Sequence, residues 1–567
     1  MKNIYKVLFG ISLSCVVTGS VLGQDVQKPM NIGSIPEVAG MFLQHVNKNV
    51  SMQLPSGKAI DVKIIDDQTT SQVFRVYGEV QNAKTSIFHI YGTEHSVNGK
   101  IVIDNKEGYE VSTDAKSGQV IITKVDVGQL ICISPGKENV TAVNNQPQAN
   151  KVQAQPALNS NPSAPFVLYL DFDGEYVNDS YWNSQMGGAK QCNGPNYSNA
   201  FITDVWAAIS EDYRPYNINV STERASFDAK SKAARHMVVY TNTWGSGGGV
   251  ADIGSIANNG TDICWVFFNH LEQTVSDMAV TGAHESGHAF GLQHDGSTSD
   301  GNYWGGHGNY GAIMGNNYQT SGRAIWQWSK GEYAGATHHG GGQNYQDDVA
   351  IIAGNPGVGY RTDEHGDDIN SATEIDVETD GTVMGSKNNG IITKRTDKDV
   401  FSFMTSGGSV SFNFQSGTGE WTNEADLDIQ ARLLDASGTE VTKSNPTGLQ
   451  ASISTTLQSG TYYIEIDGVG YGDPVTNGYS DYASLGYFEI SGNYPPGSAD
   501  VPPTIVSIDA ADNCGEFTFE GVVQNAVDTY LWEFGDGGTS SSAVATHKYT
   551  QSGTHGETDR YQSVRFG

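Results

Sequence analysis

Lysine and arginine are scarce in this chain. They number 32 against 63 aspartates and glutamates, a formal net charge of -31 over 567 residues. Contact with phosphate backbones requires clustered Lys and Arg, so nucleic acid is excluded as a partner. Long apolar runs are also missing: beyond the N-terminus no segment approaches the ~18 apolar residues needed to cross a bilayer, which excludes a membrane span. Cysteine is limited to 5 residues. What remains is 17% charged and 37% hydrophobic, with 68 Gly and 27 Tyr, a balance that suits several β-rich globular modules joined by many turns. Carboxylate pairs in the acidic loops can bind Ca2+ or simply be solvated.

Against that background one stretch is dense in chemistry: His284-Glu285-Ser286-Gly287-His288-Ala289-Phe290-Gly291-Leu292-Gln293-His294-Asp295. On a helix, residues four apart lie one above the other, so His284 and His288 can share one metal ion. Gly291 is suited to end that helix, because Gly enters the left-handed region without a Cβ penalty, and the turn returns His294 as a third ligand. Three protein ligands leave a fourth tetrahedral position for water. Glu285, beside the first ligand, is placed to take that water's proton, and hydrolysis with Zn2+ is the natural chemistry. The competing readings are core histidines in an ordinary buried helix, or a structural zinc. The latter normally takes four protein ligands, often Cys, and no Cys is close in sequence.

The pattern HExxHxxGxxHD resembles the metzincin zinc endopeptidases, and the Asp after the third His is similar to their reprolysin-like (adamalysin-like) branch. The resemblance implies an α/β catalytic domain, Zn2+ held by His284, His288 and His294, and Glu285 as general base. It also implies a Met-turn beneath the metal. That role falls to Met314 in Gly311-Ala312-Ile313-Met314-Gly315, which lies twenty residues after His294. Some metzincins place a Tyr two residues after this Met; here that residue is Asn316, and the nearest Tyr, Tyr318, is assigned no role. An edge strand just ahead of the zinc helix is expected to pair with extended substrate.

Residues 1–23 combine Lys2 and Lys6 with an apolar run from Val7 to Leu22 and a small residue at Gly23, the pattern of a secretory signal peptide. Cys15 permits a lipoprotein reading, but the run continues past it, so the expectation is a soluble secreted protein. Residues 24–135 show short alternating strands such as Val73–Tyr77, Ser86–Tyr91 and Gln119–Thr123, and carry no catalytic cluster. Their position suggests a propeptide. Near its end, Cys132 is either a zymogen switch whose thiolate covers the open zinc position or a buried strand cysteine, and the family's familiar switch motif is absent around it. Residues 136–163, rich in Asn, Gln, Ala, Ser and Pro, read as an exposed linker and processing region.

The zinc metallopeptidase domain is expected over 164–365. Phe166–Phe172, His236–Tyr240 and Cys264–Phe268 read as buried strands, Tyr216, Ile218 and Val220 alternate as another, and Phe201, Val205 and Ile209 mark a helix core face. Ser276 or Asp277 is the expected cap of the zinc helix. Cys192 and Cys264, the two cysteines of this region, can form a disulfide if geometry allows. His307 is read either as an active-site rim residue or as a solvent-facing loop residue, with His338-His339 a weaker version of the same. Asp347 and Asp348 read as the capped start of a closing helix.

Residues 366–495 change to strands only, with Phe401/Phe403, Val410/Phe412/Phe414 and Tyr462/Ile464/Ile466 alternating on one face: a β-sandwich. Phe401-Ser402-Phe403 and Gly460-Thr461-Tyr462-Tyr463-Ile464-Glu465-Ile466-Asp467-Gly468 resemble the bacterial pre-peptidase C-terminal (PPC) domain. Asp426, Asp428, Asp467 and Asp473 are candidate Ca2+ ligands there, or turn acids. Residues 502–567, with Tyr530-Leu531-Trp532-Glu533-Phe534-Gly535-Asp536-Gly537 and His547-Lys548-Tyr549, resemble the polycystic-kidney-disease (PKD) repeat. Polar residues stand where its last strands are expected, so a partial domain is anticipated, and Cys514 has no assigned partner.

The expected fold class is therefore multidomain: an N-terminal β-rich propeptide, an α/β metzincin-like catalytic domain, and C-terminal all-β sandwich domains. The expected function is a secreted zinc metalloendopeptidase, made as a zymogen, hydrolysing peptide bonds in extracellular proteins. The alternative is an extracellular adhesion protein whose C-terminal modules bind matrix or glycan and whose zinc domain is inactive. A zinc hydrolase of non-peptide amides or esters is the third. An intact Glu285 favours the enzyme.

Overall fold

The computed structural model describes residues 28–133, 154–316, 325–338, 346–417, 425–497, 504–549 and 563–566, apart from 44–45, 71, 309, 514–515, 525–529 and 535. The signal-peptide stretch, most of the linker, Tyr318, His339 and Cys514 lie outside them. The chain forms two compact units, Met1–Val127 and Gly128–Gly567.

In the first unit the described residues form an eight-stranded sheet whose members follow one another as an antiparallel meander, and the first strand closes on the last at Met30↔Ile122. The helix Ile35–Phe42 starts at a capping box in which the Glu37 carboxylate accepts from the Ser34 backbone N–H at 2.7 Å. Its Val38 and Phe42 enter a core with Val62, Phe88, Ile101 and Ile122, which is where the alternating apolar residues of the strands point.

The second unit is built on β1 (Ile131–Ile133), β2 (Phe166–Asp171), α1 (Asn199–Asp212), β3 (Ile218–Ser221), β4 (Arg235–Thr241), β5 (Gly249–Asp252), β6 (Ile263–Phe267) and α2 (Val275–Ala289). The strand order is β3-β2-β4-β6-β5-β1. Strands β2, β3, β4 and β6 are parallel, while β5 runs antiparallel to β6 and β1 antiparallel to β5. The stretch expected as the end of a propeptide thus extends the sheet of the second unit. The strand directly before the zinc helix, β6, is internal, and the short β5 beyond it is covered in turn by β1, which forms the edge.

Parallel strands inside a sheet carry near-continuous apolar runs, as Phe166–Leu170 of β2 and Met237–Tyr240 of β4 do. Helices α1 and α2 lie on one face, with Val205 and Ile209 fully buried against Met278, Ala279 and Ala283, and Phe201 packed at the margin. Gly282 permits this closeness: a Cβ there would collide with the Tyr240 hydroxyl and lie 3.0 Å from Ile209 Cδ1. Helix α2 is capped two or three residues earlier than the sequence suggested, at Thr274. Thr274 Oγ1 accepts from Asp277 N at 3.0 Å, and Asp277 in turn accepts from Glu272 N at 3.2 Å, so Asp277 serves as the third helical residue.

The possible Cys192–Cys264 disulfide is not formed; both are free, buried thiols. Cys264 sits in β6 on the helix-covered face among the core residues, whereas Cys192 belongs to a separate two-stranded ribbon opposite Glu175. Burial pushes the Cys192 thiol up to about 11 and the Cys264 thiol well above its usual value, so neither is a ready thiolate.

Residues 373–493 form two packed sheets. Lys398–Thr405 pairs with Gly460–Gly468 in one, and Gly408–Ser416 lies between Ala451–Leu457 and Gly486–Asn493 in the other. The alternating Phe401, Phe403, Phe412, Phe414, Ile464 and Ile466 meet in the interior, in a hydrophobic cluster continuous with that of the α/β body. The sandwich is more than an appended module. Gln327 Nε2 donates to Asp426 O at 2.5 Å, Val349 N donates to the Tyr482 hydroxyl at 2.9 Å, and that hydroxyl donates to Asp347 Oδ1 at 2.7 Å. The described residues of 504–566 add two three-stranded sheets, and the strand Ser563–Phe566 of the domain expected to be partial pairs with Tyr530–Glu533. No helix among the described residues is long and apolar enough to cross a membrane.

Candidate active site

The stretch that dominates the sequence occupies the second half of α2 and the turn after it. The helix ends with Gly291 N donating to His288 O at 2.8 Å and Leu292 N to Gly287 O at 3.1 Å, a Schellman closure that requires the left-handed φ of +108° found at Gly291. The turn brings His294 back beside His288, with ring centroids 4.7 Å apart.

Two backbone carbonyls then fix the chemistry of the rings. His284 Nδ1 donates to Ile313 O and His288 Nδ1 to Leu292 O, both at 2.7 Å. A carbonyl only accepts, so each Nδ1 carries the proton and each Nε2 presents a lone pair. Those two Nε2 atoms face each other at 3.0 Å. Two lone pairs at that distance repel unless a cation sits between them. Burial pushes the His284 ring down to about 4, against a smaller opposing effect of its hydrogen bond to Ile313, so the ring is neutral at pH 7 and ready to ligate.

The fourth member of the cluster comes from far away in sequence. Cys132 Sγ on β1 lies 3.0 Å from His294 Nε2 and 3.9 Å from His284 Nε2. All four ligand atoms are within 4.8 Å of one another and all four residues are buried. Around tetrahedral zinc, donors at about 2.0–2.3 Å from the metal stand roughly 3.3–3.6 Å apart, so this N3S set fits the ion. The residue left open in sequence as switch or strand cysteine lies in a strand, and its sulfur faces the histidines.

Met314 is fully buried in the turn after Tyr310–Ala312, and its carbonyl accepts from Asp295 N at 2.8 Å. Gly287 gives its sulfur room, since a Cβ there would lie 2.8 Å from Met314 Sδ. Asp295, next to the third His, is buried together with Asp348, which burial and the neighbouring Asp295 hold well above the usual carboxylate range. Asp348 accepts from Ser329 N at 2.9 Å and from Gln346 Nε2 at 2.7 Å, while Asp347 caps the helix Asp348–Gly354. These contacts tie the helix to the segment that follows the Met-turn.

Residues 206–295 match the model of the metallo-peptidase family M12B, reprolysin-like. The match begins inside α1 and ends at the residue after the third histidine, so it takes in β3 to β6, α2 and the three imidazoles and leaves β1 and β2 outside. Among solved structures, the pre-peptidase C-terminal domain of collagenase from Bacillus anthracis is similar at 15% identity and a TM-score of 0.15, covering 24% of this chain and 98% of that one. Comparison with curated proteins gives no match.

Glu285 is fully buried and points toward β5. A Cβ at Gly249 would lie 2.5 Å from Glu285 Oε1 and 2.6 Å from Trp265 O, so the absence of a side chain at 249 is what lets the carboxylate and the strand coexist. Gly249→Ala is expected to lower kcat at least tenfold with zinc content retained, because displacing a reacting group by an ångström costs about that or more. Steady-state kinetics beside metal analysis checks this.

Sequence reasoning missed both Gly249 and Tyr303. The Tyr303 ring packs on His294 at 4.1 Å between centroids, and its hydroxyl is 3.9 Å from Cys132 Sγ. No periodicity marks Gly301-Asn302-Tyr303-Trp304. His307, expected at the rim or in solvent, instead donates from Nε2 to Gly478 O of the sandwich at 2.8 Å. The four acids read as calcium ligands are engaged by the protein: Asp428 by the Tyr479 hydroxyl at 2.8 Å, Asp467 by Lys398 Nζ at 2.9 Å and Asp473 by Val475 N at 2.9 Å, while Asp426 accepts at its backbone carbonyl. Among the described residues the carboxylates that do converge are Asp363, Asp367 and Asp397.

Proposed function

We propose that this chain is a secreted zinc metalloendopeptidase, made as a zymogen, that hydrolyses peptide bonds in extracellular proteins. The observation that carries the reading is the convergence of three buried imidazoles, two of them with the Nε2 lone pair fixed, beside a buried carboxylate one residue from the first. His284, His288 and His294 would hold Zn2+. Zinc bound there supplies Lewis acidity toward a carbonyl and lowers the pKa of water. Glu285 accepts the proton of the attacking water and returns it to the leaving amine nitrogen as the C–N bond breaks. The M12B match supports peptide bonds as the target class.

Latency is read from β1. It lies on β5, with Cys132 opposite Ala251, so it holds by main-chain hydrogen bonds the edge that an extended substrate would use, and its sulfur takes the fourth position. Export is supported by the pattern of residues 1–23. The N3S set is also what a closed structural site offers, and that favours the adhesion reading if the sulfur never leaves. Casein cleavage by chain cut in the 136–163 linker separates the two. Cleavage that a chelator abolishes and added Zn2+ restores is expected; zinc-replete, cut chain that leaves casein intact contradicts the peptidase reading.

A further inference from the structure

We infer that Tyr303 is a catalytic residue of the peptidase proposed above: its hydroxyl donates a hydrogen bond to the scissile carbonyl oxygen as that oxygen becomes an anion. The inference rests on that reading of the site. The Cys132 sulfur marks where a substrate group comes when it faces the three imidazoles, and the Tyr303 hydroxyl is 3.9 Å from that sulfur. A phenol that reaches a ligand atom in the latent state reaches an oxygen in the same place in the working one.

The ring is held in advance, which is the condition for such a donor to lower a barrier. One face is taken by His294, 4.1 Å away at an angle of 37°. The next residue, Trp304, is buried and stacks on Tyr333 at 3.6 Å with an interplanar angle of 2°. Its backbone is pinned on both sides, Trp304 N donating to Asp295 O and Asn316 N to Trp304 O, each at 2.7 Å. The loop that carries Tyr303 is thereby fastened to the residue after the third ligand and to the turn after Met314. The step it serves balances without further reagents. The water oxygen bonds to the carbonyl carbon, the C=O π pair moves to oxygen, the water proton goes to Glu285, and Tyr303 keeps its own proton throughout. Collapse of the oxyanion then expels the amine, which takes the proton from Glu285.

The test compares linker-cut wild type with Tyr303→Phe, Tyr303→Ala and Glu285→Gln. The readouts are kcat and KM, zinc content, thermal midpoint, and binding of a phosphinic peptide built on a bond that wild type cuts in casein. Tyr303→Phe keeps the stacking and removes only the hydroxyl. It is expected to lower kcat about 100-fold with KM within about twofold, to weaken the phosphinic peptide by a similar factor, and to leave zinc content and thermal midpoint unchanged. If Tyr303→Phe turns over and binds the phosphinic peptide within about threefold of wild type, the proposal is overturned, whatever Tyr303→Ala does to zinc. If wild type itself does not cleave while holding zinc, the peptidase reading fails and takes this one with it, an outcome distinct from an active wild type with an equally active Tyr303→Phe.

Discussion

Glu285→Gln is expected to reduce peptide hydrolysis by at least about 1,000-fold while the cut chain keeps its zinc. General-base catalysis by a positioned carboxylate contributes roughly 10²–10⁴ to a rate, and an amide of the same shape cannot accept the proton. The position makes the substitution informative. Glu285 is fully buried on α2, so Gln fills the same space against Gly249, and replacing a buried anion by a neutral amide imposes no new desolvation cost. His284 and His288 take their tautomers from backbone carbonyls and His294 is placed by the turn that ends the helix, none of which involves position 285, so metal content is preserved. Turnover of a fluorogenic peptide, with zinc measured on the same samples, decides it. Activity within about tenfold of wild type would remove Glu285 from the chemistry.

Cys132→Ala is expected to raise the activity of the uncut, full-length chain by about 100-fold or more over uncut wild type. With the sulfur in place the imidazoles face a fourth protein ligand and substrate has no access to that position. Without it, β1 retains only the short antiparallel pairing Val250↔Ile133, Ala251↔Cys132, Asp252↔Ile131, and a few main-chain hydrogen bonds compete poorly with a longer substrate. The measurement is the rate on one peptide substrate for uncut wild type, uncut Cys132→Ala and the linker-cut forms of each. Equal inactivity of both uncut proteins, with both cut forms active, would assign latency to the strand alone and leave the thiol without a part.

What was legible in the sequence was whatever repeats at a fixed period or sits at a fixed offset. The i, i+4 histidines, the glycine that ends the helix and the apolar alternation of the sandwich strands all belong to that class. The Met-turn was legible through a family spacing. Cys132 stood open because the contact joins positions 152 residues apart, and a strand of three residues carries no periodic signal of which sheet it will join. Tyr303 and Gly249 were unreadable for a related reason: one acts through a loop whose course is set by Trp304 stacking, the other through a missing side chain. The cap at Thr274 was mistaken by two or three positions because Ser276 and Asp277 are equally good cap chemistry in isolation. The free Cys192 and Cys264 show the limit of pairing by elimination, since separate sheets keep them apart. The joint core between the α/β body and the sandwich was hidden as well, because composition changes near residue 365 whether or not the two parts pack.

Zinc in the uncut chain is expected to sit among three imidazoles and the Cys132 sulfur. Zinc K-edge X-ray absorption on the full-length protein reads that shell directly. Three nitrogen donors at about 2.0–2.1 Å and one sulfur at about 2.3 Å are expected, with the sulfur lost in Cys132→Ala. A shell of nitrogen and oxygen alone in the uncut wild-type protein would contradict this assignment.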